Sequence, residues 1–185
     1  MTRIVGGLAR GRHLAVPPRG TRPTSDRARE ALFNTLRAEL DLKGARVLDL
    51  YAGSGAVGLE ALSRGAAAAV FVESDRRAAA VLAENISVLG LPGATIRRLT
   101  AESYLSAAGA DEPFELVFAD PPYATPIGSV NGVLQLLVDH EWLAADAVVV
   151  VERSARDTDP GWPCEIKPIK HRRYGEGCLW YGRRT

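Results

Sequence analysis

The stretch RVLDLYAGSGAVGLEALSRG, residues 46–65, permits few folds. A short apolar run broken by one acid ends in Gly53-x-Gly55-x-x-Gly58, and a helical pattern follows at once. A strand that turns through glycines into a helix is the opening half of a βαβ unit. The alternation then repeats. AAVFVES (68–74) reads as a second strand, Arg76 to about Leu89 as a helix, ATIRRL (94–99) as a third strand and ELVFAD (115–120) as a fourth. A helix near 130–140 leads into AVVVVERS (147–154), whose unbroken valines suit a strand covered on both faces. The tail CEIKPIKHRRYGEGCLWYGRR reads as two strands turning near Tyr174-Gly175, antiparallel to the rest. The expected fold is α/β: a Rossmann-like, seven-stranded, mostly parallel sheet with helices on both faces and an antiparallel last strand.

Ahead of this pattern, residues 3–16 read as two short strands around Arg10-Gly11. PPRGTRPTSD then ends in the N-cap residues Thr24, Ser25 and Asp26, and Ala28, Leu32, Leu36 and Leu40 fall on one helical face. Residues 1–40 are expected to form a basic extension, a β-hairpin plus helix, docked on a domain spanning 41–185. No apolar run approaches the roughly 18 residues needed to cross a bilayer, and MTRIVGGLARGRHLAV lacks the apolar core of a secretory signal. Cys164 and Cys178 make neither a disulfide framework nor a zinc site. A cytoplasmic monomer without membrane or metal is the expectation.

The net charge of +1 conceals an asymmetry. Residues 1–40 hold eight Arg against three acids, residues 153–185 eight Lys or Arg against four acids, and residues 41–152 seven basic residues against fifteen acids. An acidic body between basic ends suits a polyanion gripped by the termini. The candidate phosphate contacts are Arg3, Arg10, Arg12, Arg19, Arg22 and Arg27 near one end, with Arg172 and Arg173 beside His171 and Tyr174 near the other. Trp162, Trp180 and Tyr181 read as core.

Taken literally, the glycine loop with Glu73 twenty residues after Gly53 satisfies a dinucleotide fingerprint. Asp49, four residues before Gly53, opposes that reading, because a pyrophosphate wants bare N–H groups and a helix dipole. At ~5 Å and an effective dielectric near 20, each like-charge pair costs about 3 kcal/mol. S-adenosylmethionine has no phosphate and carries an ammonium and a sulfonium, so Asp49 favours it. Tyr51, Gly53, Ser54 and Gly55 would form the cradle, and Glu73 would take the ribose hydroxyls with Ser74 beside it. Glu102, after the third strand, would accept the adenine amine while the Ala101 backbone meets the ring edge, or else it is simply an acid in a helix's first turn.

ADPPY, residues 119–123, closes the fourth strand on an acid. That strand should end beside the first, at the switch point where such sheets bind ligands, and this aims Asp120 at the cofactor's methyl group. Pro121 and Pro122 fix φ, hold the backbone extended and offer carbonyls without a competing N–H, and Tyr123 presents a face to a planar base. The exocyclic amine of a nucleobase is a poor nucleophile because its lone pair is delocalised. Two acceptors on its two N–H bonds, the Asp120 carboxylate and a proline carbonyl, aim that lone pair along the S–CH₃ axis. No metal is required. A rival nucleophile, Cys164 after Pro163, lies past the fifth strand rather than the fourth.

VLDLYAGSG, VES, DPPY and the N-terminal RPTSDRAREALFN resemble the RsmD family of bacterial class I methyltransferases over nearly the whole chain. The resemblance implies S-adenosylmethionine as cofactor and the exocyclic N2 of a guanine in 16S ribosomal RNA as target. It also implies a 30S subunit or assembly intermediate as partner. Two departures stand out: Glu102 occupies a position where many relatives use Asp, and one basic residue of the C-terminal stretch is shifted. Rival readings are adenine-N6 or cytosine-C5 methylation of DNA, methylation of a protein glutamine amide, and a catalytically silent RNA-binding assembly factor.

Overall fold

The computed structural model describes residues 2–17, 25–107, 109 and 112–185. Arg19, Arg22 and the expected cap Thr24 lie outside the described residues. Seven strands form one sheet: β3 (Arg46–Leu50), β4 (Ala68–Val72), β5 (Ala94–Arg97), β6 (Phe114–Ala119), β7 (Leu143–Ser154), β8 (Ile166–Tyr174) and β9 (Gly177–Arg184). Their order is β5-β4-β3-β6-β7-β9-β8. β3, β4, β5, β6 and β7 run parallel, and β9 is antiparallel to both its neighbours.

Alternation along the central strands builds two cores. Val47, Phe118, Val148 and Val150 face one cluster, with Leu32, Phe33 and Leu36 from helix α1 (Asp26–Glu39) and Leu59 and Leu82 from α2 (Ala56–Ser63) and α3 (Arg76–Leu89). Leu48, Leu50, Val117, Val149 and Val151 face the other, under α4 (Ala101–Leu105) and α5 (Ile127–Asp139). Val148 to Val151 are wholly buried, which is why their run lacks the polar alternation of a one-sided strand.

The expected antiparallel last strand is present, but the reading of both tail strands as antiparallel to the rest is corrected. Only β9 runs against the sheet, because it inserts between β7 and β8 and so leaves β8 parallel to β7. The composition explains the order. β9 buries Cys178, Leu179 and Tyr181, whereas Lys167, His171, Arg172 and Arg173 of β8 are exposed. The apolar strand takes the inner place and the charged one blunts the edge. β7 also begins earlier than the valine run, at Leu143, with a register shift against β6 between Phe114 and Leu116.

The N-terminal hairpin pairs β1 (Thr2–Arg3) with β2 (His13–Leu14) and is fastened by α2. Glu60, wholly buried, accepts from the backbone N–H groups of Val5 at 2.8 Å and Gly6 at 2.7 Å. It also pairs with Arg64 at 2.8 Å and with the wholly buried Arg29 of α1 at 3.4 Å. The Ser63 hydroxyl donates to Gly6 O and accepts from Ala9 N. Ser25 caps α1 by accepting from Ala28 N. Removing one partner of a buried ion pair typically costs about 3–5 kcal/mol. Glu60→Ala, which takes one carboxylate partner from the buried Arg29 while Asp26 remains, and leaves the Val5 and Gly6 N–H groups without their acceptor, is expected to lose stability approaching that order in urea unfolding, while Glu60→Gln loses less.

Candidate active site at the carboxyl edge of the sheet

β3 and β6 end side by side, with Leu50 opposite Ala119. The loop after β3 is tightly wound: Tyr51 has φ 59° and Gly55, the N-cap of α2, has φ 78°. A left-handed Tyr carries a strain of roughly 1–2 kcal/mol, a departure that clusters at functional sites. A Cβ at Gly55 would lie 2.2 Å from Leu82 Cδ1, and one at Gly58 would lie 2.3 Å from Phe71 Cε1. The glycines thus let α2 settle against β4 and α3.

A cavity of about 320 Å³ opens over this corner, lined on the loop side by Asp49, Tyr51, Gly53 and Ser54, and across from them by Glu73, Ser74, Asp120 and Pro122. A smaller one of about 210 Å³ adjoins it, sharing Tyr51, Glu73, Ser74 and Pro122 and adding Ala101 and Glu102. Of the residues expected to hold a cofactor, all but Gly55 line one or the other. Gly55 shapes the turn instead. Glu102 does sit in a helix's first turn, yet it also borders the smaller cavity beside Tyr51. Burial pushes the Tyr51 phenol up, and the Glu102 charge adds to the shift.

Glu73 does more than wait for a ligand. One carboxylate oxygen accepts from Gly53 N and the other from Asp75 N, each at 2.8 Å. This pins the glycine loop to the end of β4 and leaves further lone pairs of the acid available. Asp75 caps α3, accepting from Arg77 N and Ala78 N. Asp49 is buried and accepts from Gly58 N at 2.9 Å. Burial pushes its carboxyl up to about 8; the Gly58 N–H opposes the shift and the Glu73 charge reinforces it. The like-charge penalty expected from sequence presumes an ionised Asp49. A protonated Asp49 is neutral beside a phosphate and ionises beside a cation, so selectivity arises from what the cation gains.

Asp120 is pushed well above the usual carboxylate range, first by burial, then by the charges of Glu152 and Asp49, with Arg153 opposing. Pro121 is buried, Pro122 exposed and Tyr123 half exposed. A Cβ at Gly177 would meet Glu152 Oε1 at 3.1 Å and the Tyr123 hydroxyl at 3.2 Å. The bare glycine at the start of β9 therefore gives the tyrosine ring and Glu152 their space. Val16 and Pro17 of the N-terminal segment close the far wall of the larger cavity. Asn85 of α3 holds them there, exchanging two hydrogen bonds with the Ala15 backbone and donating to Ser54 O at 2.9 Å.

The sequence reading missed Glu60, Asn85, Glu152 and Arg153. Glu60 and Arg153 carry a signal, Glu60 as a lone charge inside an apolar helical run and Arg153 as a charge just past the valine run. The candidate phosphate contacts separate into two sets. Arg27 near the start of α1, Arg3 beside Asp26, and Arg172 and Arg173 near the end of β8 lie toward the carboxyl edge. Arg12 instead donates to Val88 O in the last turn of α3, and Leu8 N bonds Ser63 O at the last turn of α2. Arg10 and Arg12 therefore sit toward the opposite end of the sheet, about 20 Å away by the length of α3. Cys164 is exposed ahead of β8, lines neither cavity, and its thiol is pushed up by the hydrogen bond to Glu165. A nucleophilic cysteine needs the opposite shift.

A profile of the family described as Conserved hypothetical protein 95 matches residues 2–183. Ribosomal RNA small subunit methyltransferase D of Escherichia coli K12 is 43% identical over 162 residues, covering 87% of this chain and 79% of the relative. The chain belongs to the RsmD family. Among solved structures, YhhF of Escherichia coli, described as a candidate methyltransferase, superposes with a TM-score of 0.87 at 38% identity, covering 100% of this chain and 98% of that one. The hypothetical protein TTHA0928 of Thermus thermophilus gives 0.83 at 37% identity, with 98% of each chain covered. The RsmD membership and the sheet order together make this a class I methyltransferase fold.

Asp49 supplies a direct check on the site's electrostatics. Its carboxyl is raised in the folded state, so the folded protein holds a proton that the unfolded chain releases between pH about 4 and about 8, and stability falls across that window. Asp49→Asn keeps an acceptor for Gly58 N. The variant is expected to match the parent in thermal unfolding near pH 4 and to exceed it increasingly up to pH 8.5.

Proposed function

We propose that this protein transfers a methyl group from S-adenosylmethionine to the exocyclic N2 amine of a guanine in 16S ribosomal RNA, acting on the 30S subunit or an assembly intermediate. The observation that carries the reading is the placement of Asp120 and Pro122 on a cavity walled by Asp49, Glu73 and the glycine loop. The residues fit the cofactor on chemistry: acids buried near one another accommodate a cation better than an anion, and Glu73 is already oriented by two backbone N–H groups. When bound, S-adenosylmethionine supplies an electrophilic methyl on a positively charged leaving group.

The protein's own part is positioning. Glu73 and Ser74 suit the ribose hydroxyls, Glu102 and Ala101 the adenine edge in the smaller cavity, and Asp49 the cationic end. Asp120 accepts one N–H of the target amine and a proline carbonyl accepts the other. The Pro122 carbonyl already accepts from Thr125 N at 2.8 Å and from Arg153 Nη1 at 3.3 Å, which fills its two lone pairs. The Pro121 carbonyl is the one left. Tyr123 offers its exposed face to the base. Nearby positive charge from the donor draws the Asp120 carboxyl back toward the ionised, accepting form, and Asp120 then takes the released proton or passes it to water.

The split of the arginines supports a large substrate. Arg3, Arg27, Arg172 and Arg173 lie where they would flank an extruded base, a step that costs a few kcal/mol. Arg10 and Arg12 need a polyanion reaching about 20 Å further along the body. The test offers labelled S-adenosylmethionine to unmodified 30S subunits, naked 16S RNA and duplex DNA, then identifies the product nucleoside. N2-methylguanosine in the subunit is expected, and label confined to DNA adenine or cytosine overturns the reading. Asp120→Ala is expected to abolish transfer, with cofactor affinity held within a few-fold by calorimetry.

A further inference from the structure

Arg153 is an unusual residue to find at the end of a buried strand. It follows the four valines and Glu152 in β7, is 3% exposed, and its guanidinium reaches across the end of β6. Nη1 donates to Pro122 O at 3.3 Å and Nη2 to Thr125 O at 3.0 Å, while Asp157 Oδ2 lies 2.8 Å from Nη2 as its counter-ion. The loop it touches is the one that carries the reacting groups. Thr125 N closes a turn on the same Pro122 carbonyl, so that oxygen is held from both sides. The planar fork of an arginine can meet two carbonyls at fixed separation, which a lysine ammonium does not reproduce.

We propose that Arg153 is a positioning residue for methyl transfer: its guanidinium clamps the Pro122–Thr125 turn, removes the Pro122 carbonyl from competition, and leaves Asp120 and the Pro121 carbonyl as the acceptor pair for the substrate amine. This rests on the proposed amine methylation, though it holds for any exocyclic amine. Arg153 also places a positive charge near Asp120, against the negative charges of Glu152 on the same strand and Asp49 on β3, and so opposes the upward push on the Asp120 carboxyl. Shape and charge thus contribute separately, and two substitutions separate them.

The experiment compares the parent with Arg153→Lys, Arg153→Met and Asp157→Asn on unmodified 30S subunits across pH 5.5–9, with cofactor affinity by calorimetry and folding by thermal unfolding. Arg153→Lys keeps the charge and loses the fork. Its kcat is expected to fall about 10- to 100-fold, the scale of an ångström-sized misplacement, with KM and cofactor affinity within threefold and the acidic limb of the kcat profile unmoved. Arg153→Met is expected to lose kcat similarly and to shift that limb to higher pH. Asp157→Asn, which leaves the clamp in place, is expected to stay within threefold of the parent and serves if Arg153→Met does not fold. The inference is overturned if Arg153→Lys keeps parental kcat, if kcat and cofactor affinity fall together, or if Asp157→Asn loses as much kcat as Arg153→Lys. A parent that methylates adenine rather than guanine refutes the substrate assignment alone, because the ratio of variant to parent still reads the clamp.

Discussion

The central constraint of this structure is the crowding of carboxyl groups around one cleft, one buried and two half-buried. Asp49, Asp120 and Glu152 converge where β3, β6 and β7 end, close enough for the charges of Asp49 and Glu152 to raise Asp120. A protein interior disfavours ionised acids, and repulsion between them adds to that cost. Such a corner persists only where the surrounding sheet is over-determined, as it is here by two cores on the alternating faces of β6 and β7. The site is thereby prepared for positive charge. A donor that arrives as a sulfonium relieves the tension that the fold built in, and an uncharged competitor does not.

Rigidity matters equally. The chemistry proposed here uses no covalent intermediate, so its efficiency depends on holding two acceptors against one nitrogen. The two prolines remove backbone freedom, the Thr125 turn closes the loop, and Arg153 fixes it to the neighbouring strand. On the other side of the cleft Glu73 ties the glycine loop to β4. Both walls are held by side chains that bond backbone atoms, Glu73 on one side and Arg153 on the other.

Much of this is legible in the sequence, and the boundary of legibility is physical. Gly53, Gly55 and the prolines announce themselves because local backbone geometry favours those residue types, and Glu73 and Asp120 because each is an acid closing an apolar strand. The helix from Arg76 to Leu89 is legible to its ends, since Asp75 caps it and Gly90 ends it in a left-handed turn. Glu60, Arg29, Asn85 and Arg153 are not legible as partners across the fold, because the contacts that join separate elements, Arg29 to Glu60, Arg153 to Thr125 and Asn85 to Ala15, span 31, 28 and 70 residues. No local pattern encodes those distances. The direction of β8 escapes the sequence for a related reason: a hairpin's residues determine its turn but not which of its strands enters the sheet. The basic residues are identifiable as candidates, yet only the fold reveals that Arg10 and Arg12 lie toward the opposite end from the cleft.

The far wall of the larger cavity is built from Val16 and Pro17, seated by Asn85 from 70 residues downstream of Ala15. These residues leave the ribosome well before α2 and α3, and they have nowhere to dock until both helices have been made. Contacts of such sequence separation form late, because loop-closure entropy must be overcome first. The cleft is therefore completed by an older part of the nascent chain folding back onto a body that already exists. A truncated translation product that stops short of α3 would carry the arginine-rich arm without the helix that seats it, and so could not assemble a competent cleft.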